Sequence, residues 1–155
     1  MNADLRQKIY DYIEKKGLRK TVQREAIIQA AFSTVEHYTA EDLIAMARAI
    51  EPSVSRATVY RTLPLLVESG QLKEIDLGKD HKTYDPNFVN RPHHNHLICV
   101  DCQKVVEFED HYMETLEDCI SKRLGFSPAA KTVRIEATCD KLKKFGGCEN
   151  KTKKG

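Results

Sequence analysis

Three things are missing from this sequence, and each absence narrows what it can be. No apolar run approaches the length needed to cross a bilayer, and the first residues carry no apolar core of a secretion signal. The expected setting is the cytoplasm, with no membrane partner, where cysteine pairs read as metal ligands before they read as disulfides. No sign of charge dominates. With 25 basic and 23 acidic residues the formal net charge is only +2, so a claim of nucleic-acid binding has to rest on local charge. No nucleophile or acid–base pair stands out, and there is no internal repeat or low-complexity tract. At 155 residues, 41% hydrophobic and 31% charged, the chain fits one soluble domain or two small ones.

What is present is concentrated in His93-His94-Asn95-His96-Leu97-Ile98-Cys99-Val100-Asp101-Cys102, which holds three of the six histidines and two of the five cysteines. Imidazole nitrogen and thiolate sulfur are ligands that borderline-soft divalent metals prefer. Cys99 and Cys102 have the spacing of a zinc knuckle, in which one tight turn aims both sulfurs at one ion. Cys139 and Cys148 can complete a tetrahedral four-sulfur site that staples the C-terminal strand to the knuckle. The competing reading is a pair of buried thiols. Cys119, beside Leu116 and Ile120, is expected in the core.

His94 and His96 share a face if the run is a strand, with His93 and Asn95 on the other. They need further ligands, and Glu107, Asp85 and His37 are the candidates. Nitrogens with carboxylates suit Fe(II), Mn(II) or Zn(II) without selecting among them. A polar surface cluster is the alternative.

The first half reads as helices. Leu5, Ile9, Tyr12 and Ile13 mark one that stops near Gly17. Thr21 caps a second with Val22, Ala26, Ile27 and Ala30 on its apolar face. Thr39 with Asp42 is a capping-box start for a third, carrying Leu43, Ile44, Ala47 and Ile50. After a turn at Glu51–Val54, Ser55 caps a fourth, with Val59, Leu63, Leu66 and Val67 buried and Arg56, Thr58, Tyr60 and Arg61 facing out. That is a helix-turn-helix layout whose exposed residues suit base edges and phosphates. Pro64 predicts a kink near Tyr60–Pro64, and Gly70 ends the helix. Between Lys15 and Arg24 lie five basic residues and no acid, including Arg19 and Lys20. This is either a solvated turn or a phosphate or minor-groove contact. A hairpin around Gly78–His81 would be the wing.

Asp85–Pro92 breaks periodicity and reads as a hinge. Strands around His94–Val100 and Lys104–Phe108, a helix through Met113, Leu116, Ile120 and Leu124, and a strand at Thr132–Ala137 follow. The expected division is residues 1–84, a hinge over 85–92, a metal-binding unit over 93–150 and a frayed tail over 151–155. The fold class is α+β: an N-terminal winged helix-turn-helix domain, then a small α/β domain.

His37 before Thr39-Ala40-Glu41-Asp42-Leu43, the run Ser55–Leu63 and the run His93–Cys102 together resemble the Fur (ferric uptake regulator) family of bacterial metalloregulators, over roughly Leu5 to Cys148. The resemblance implies a homodimer, a C-terminal dimerisation domain, repression at palindromic DNA operators, a structural Zn(II) and a regulatory Fe(II) or Mn(II), with Zn(II) as a further option. By position it puts zinc on Cys99, Cys102, Cys139 and Cys148, and the regulatory metal on His37, Asp85, His94, His96 and Glu107. Many relatives have the last two cysteines closer together. Iron sensors commonly have glutamate where this chain has Asp85, whereas members with aspartate include peroxide sensors, in which peroxide oxidises a ligand histidine at the bound Fe(II). A third family site would use His93 and Glu114, but Asn95 is neutral and Ser127–Thr132 offers Lys131 and no histidine, so it is expected to be weak or absent. Two other classes compete. A hydrolytic metalloenzyme lacks its acid–base partner here, and a metal-storage protein would not need the Arg56–Arg61 helix.

Overall fold

The computed structural model describes residues 3–76, 81–90, 94–129, 131 and 133–147. The chain divides into two compact units, Met1–Pro92 and His93–Gly155.

The N-terminal unit is built from helices whose starts are fixed locally. α1 spans Ala3–Lys15 and α2 spans Val22–Ala31. The Thr21 hydroxyl accepts the Arg24 N–H at 3.2 Å and caps α2. α3 covers Ala40–Ile50 behind a full capping box: Thr39 accepts the Asp42 amide, and Asp42 accepts the Thr39 amide at 2.9 Å. α4, Arg56–Glu68, starts at Ser55, which accepts the Thr58 amide at 3.1 Å. It runs through Pro64 without ending. Each cap satisfies an amide that the first helical turn leaves over.

Three short strands complete this unit: β1 (Tyr38–Thr39), β2 (Lys73–Ile75) and β3 (Thr83–Asp85), ordered β1-β3-β2 and antiparallel throughout. α3, α4 and the β2–β3 pair form the expected winged helix-turn-helix. Residues 77–80, where the tip of the wing was read, lie outside the described residues. Ile9, Ile13, Ile27, Ile28, Leu43, Val59, Leu63 and Leu66 make one buried core. Tyr10 is buried where Tyr12 was expected, and Tyr12 sends its hydroxyl to Glu68 instead. Val22 and Ile50, placed on apolar faces by periodicity, stand at helix ends and are exposed.

The C-terminal unit is a three-stranded sheet with two helices. β4 (Asn95–Cys99) pairs antiparallel with β5 (Val105–Phe108) and parallel with β6 (Arg134–Ala137), so β4 is central. α5, His111–Arg123, joins β5 to β6 and is capped by Asp110, which accepts the Met113 amide at 2.9 Å. α6, Asp140–Phe145, was not expected from the sequence. No residue of α5 is buried in the single chain. Its apolar stripe stands in solvent, with Leu116 60% and Leu124 64% exposed. Cys119 is exposed too, which corrects the core assignment.

Candidate metal centres and nucleic-acid interface

β4 delivers Cys99 to the end of the central strand. The chain then turns back: Gln103 takes a left-handed φ of 62° and donates its amide to the Cys99 carbonyl at 2.8 Å. Cys99 and Cys102 are both buried on this turn. A backbone N–H from Cys102 onto the Cys99 sulfur draws that thiol below its ordinary pKa, against the opposing effect of burial. The parallel β4–β6 pairing aligns Cys99 with Ala137, so β6 ends beside the knuckle. Cys139 packs against the two sulfurs together with Leu142. Its amide donates to Asp101 Oδ2 at 2.6 Å, and its sulfur accepts the Leu142 amide at 3.4 Å, capping α6. Cys99, Cys102 and Cys139 thus share one cluster, and thiolates are the ligands that a thiophilic divalent ion prefers. Cys148 lies outside the described residues.

The same hairpin assembles the imidazoles. His94 and His96 flank Asn95, and both are buried. Their rings meet edge to face, centroids 4.8 Å apart and planes at 73°. Glu107 is the register partner of His96 across β4–β5, which puts its carboxylate on the same face. One ligand atom from each of His94, His96 and Glu107 lies within 4.8 Å of the others. Two nitrogens and a carboxylate at that spacing fit Fe(II), Mn(II) or Zn(II).

The N-terminal unit holds a smaller pair. His37 directly precedes β1, and Asp85 is the last residue of β3. Antiparallel pairing of Tyr38 with Tyr84 makes them neighbours. His37 Nε2 stands 3.9 Å from Asp85 Oδ1, which also accepts the Asn87 amide at 2.8 Å. Asp85 is fully buried and belongs to a strand, so β3 takes in the first residue of the segment read as a hinge. Burial, with the Asp85 charge second, pushes the Tyr38 phenol well above its ordinary pKa. Tyr38 is a neighbour of this pair that the sequence did not single out.

At the start of α4, Arg56, Tyr60 and Arg61 are exposed. Thr58 is not outward as expected. It is half-buried, and its hydroxyl donates to Gln23 Oε1 at 3.0 Å, tying α4 to α2. Arg56 pairs with Glu41 through both terminal nitrogens, at 2.8 and 2.5 Å, and Tyr60 O–H donates to the same carboxylate at 3.1 Å. Arg61 Nε donates to the Ala57 carbonyl at 3.2 Å. Arg19 and Lys20 are exposed, with the Lys20 ammonium 4.4 Å from the centre of the Tyr10 ring. Gln23 and Glu41 escaped the sequence reading because their partners are far along the chain.

The model of the ferric uptake regulator family matches residues 15–137. The chain belongs to the ferric uptake regulator family. It is 35% identical over 144 residues to the ferric uptake regulation protein of Campylobacter jejuni, covering 92% of this chain and 87% of that one. To the peroxide operon regulator of Bacillus subtilis it is 31% identical over 132 residues, covering 85% and 90%. The Helicobacter pylori ferric uptake regulator, solved with three functional metal binding sites, has the same fold at a TM-score of 0.81 and 22% identity, over 93% of this chain and 95% of that one. Members of the ferric uptake regulator family are metal-responsive transcriptional regulators and not enzymes, which supports a non-enzyme reading. Among the described residues no helix is long and apolar enough to cross a membrane.

The residues of the expected weak third site are only partly described. His93 lies outside the described residues, and Glu114 sits in the first turn of α5. Next along that helix, Asp118 and Glu117 take the Lys131 ammonium, at 3.0 and 3.6 Å. The hydrogen bond to Asp118 raises the Lys131 pKa, and Glu114 adds to the rise. This ferric uptake regulator family member thus carries its own cation on that acidic face.

Proposed function

We propose that this chain is a metal-responsive repressor that binds palindromic operator DNA as a homodimer in the cytoplasm, with iron as the sensed metal. The observation that carries the reading is the buried His94–His96–Glu107 set, gathered within 4.8 Å on one hairpin of the C-terminal unit. It is supported by the His37–Asp85 pair in the unit that also carries α4. In this reading His37, Asp85, His94, His96 and Glu107 hold the regulatory Fe(II) or Mn(II), and Cys99, Cys102, Cys139 and Cys148 hold a structural Zn(II). A divalent ion supplies positive charge that all five regulatory ligands favour together. Because His37 and Asp85 belong to one unit and the other three ligands to the second, full ligation favours one arrangement of the units. It does so only by the difference in affinity between arrangements. The favoured arrangement presents Arg56, Tyr60 and Arg61 to the major groove and Arg19 and Lys20 to the backbone. The stretch from the end of β3 to the unit boundary at Pro92 is the hinge in this reading. The stripe on α5 is the dimer face, since an apolar surface of this kind on a helix needs a cover.

A second reading, peroxide sensing, is favoured by Asp85 as the acid next to the hinge and by the 31% identity to a peroxide operon regulator. There, peroxide oxidises a ligand histidine of the Fe(II) form, and the altered ligand set no longer supports DNA binding.

The test is DNA binding by the purified protein with Fe(II), Mn(II) or Zn(II), each then challenged with peroxide. Iron repression predicts binding driven by Fe(II) or Mn(II) that survives brief peroxide. Peroxide sensing predicts loss in the Fe(II) form alone, with oxygen added to His37, His94 or His96. His96→Ala should abolish metal-dependent binding while leaving a folded dimer; retained metal response in this variant would mean the regulatory site lies elsewhere.

A further inference from the structure

An acidic side chain stands among the residues assigned to DNA. Both oxygens of Glu41 are in use: Oε2 accepts Arg56 Nη1–H at 2.8 Å, and Oε1 accepts Arg56 Nη2–H at 2.5 Å and Tyr60 O–H at 3.1 Å. The carboxylate is carried by the first turn of α3, whose start the Thr39–Asp42 capping box fixes. Its position is therefore set by a helix and not by a loop.

Holding the fold together explains little of this arrangement. The side chains of Arg56 and Glu41 are 60% and 54% exposed, and an ion pair so open to solvent adds little stability. On a surface that meets a duplex, a carboxylate also repels phosphates whatever the base sequence. What it supplies is orientation. The guanidinium is a planar fork of five N–H groups. Glu41 takes one from each terminal nitrogen. Nε–H and the second Nη2–H remain side by side on the other edge, and a parallel donor pair is what guanine O6 and N7 accept. The third hydrogen bond fixes the Tyr60 hydroxyl on the same anchor.

We propose that Glu41 is a specificity-determining positioning residue: it sets the plane of Arg56, and the hydroxyl of Tyr60, so that Arg56 reads one G·C pair, in exchange for weaker sequence-independent binding. The proposal rests on the DNA-binding reading above.

The experiment offers duplexes with a randomised core to the full-length protein loaded with Mn(II), as wild type, Glu41→Gln, Arg56→Lys and the double variant. The bound DNA is sequenced, and affinity for an unselected duplex is measured across salt. Wild type should enrich a motif with a fixed G·C pair. Glu41→Gln should lose about tenfold of the preference at that pair alone, the scale of one bidentate contact. It should bind the unselected duplex as well as wild type or better. The double variant should match Arg56→Lys, because both changes act through one side chain. Unchanged preference in Glu41→Gln overturns the proposal while leaving the DNA reading intact. So does a loss spread evenly over the motif, which would mark a structural effect, and so does tighter binding with the preference kept, which would make Glu41 an electrostatic brake only. If wild type enriches no motif, the DNA reading fails and the proposal fails with it.

Discussion

Asp101 lies between the two knuckle cysteines and belongs to no proposed ligand set, yet it ties the backbone of Cys139 to the knuckle. Its carboxylate accepts the Cys139 amide across 38 residues of chain. Asp101→Ala would leave that amide unmatched, at a cost of about 1–2 kcal/mol. The expected outcome is a modest fall in melting temperature and faster loss of metal to a chelator, with metal-dependent DNA binding kept while the metal stays. Unchanged metal release would mean Cys139 needs no such support. Residue assignments of this kind were legible in the sequence only where a period decides them. The two-residue period of a strand put His94 and His96 on one face, and the hairpin brought Glu107 beside them. Helical period alone turned Thr58 outward, but Gln23 lies 35 residues away and captures its hydroxyl. Nothing local encodes that bond.

Elements were readable for the same reason that caps are local. Thr21, Thr39 and Ser55 each sit within three residues of the amide they cap, and the starts of α2, α3 and α4 follow from them. β1, two residues long, and α6, six, give no period to read; β1 exists because β3 pairs with it, and α6 because Cys139 caps it. α5 was readable as an amphipathic helix, but its burial was not. Periodicity says which face is apolar and not whether this chain covers it. If a second copy covers the stripe, Leu116→Lys should dissociate the dimer and weaken operator binding, while the circular-dichroism spectrum of the folded chain persists. Sedimentation velocity checks this, and an intact dimer would move the interface off α5. A cap prediction belongs here too. Thr39→Ala removes half of the capping box and should lower stability by about 1 kcal/mol, read by chemical denaturation.

At the scale of the whole molecule, the two units differ in what holds them. The N-terminal unit buries eleven isoleucine, leucine and valine side chains in one core. The C-terminal unit buries few apolar residues among those described, and Cys99, Cys102 and Cys139 pack on one another. A small unit of this kind leans on its metal for folding free energy. Chelation of the full chain should therefore abolish amide-exchange protection over residues 94–147 while residues 3–76 keep theirs; the same holds for Cys102→Ala. Loss of protection in both stretches alike would mean the units melt as one.

The parallel pairing of β4 with β6 also sets an order of events during synthesis. The strand that completes the sheet emerges long after the strand it joins, and closing that loop carries an entropic cost. The first unit is whole once Pro92 has left the ribosome. Cys99 and Cys102 follow soon after and wait, as nascent thiols, for Cys139. Oxidant met during that interval would strike the knuckle before the third sulfur arrives, so a cell under oxidative stress would damage newly made copies sooner than finished ones.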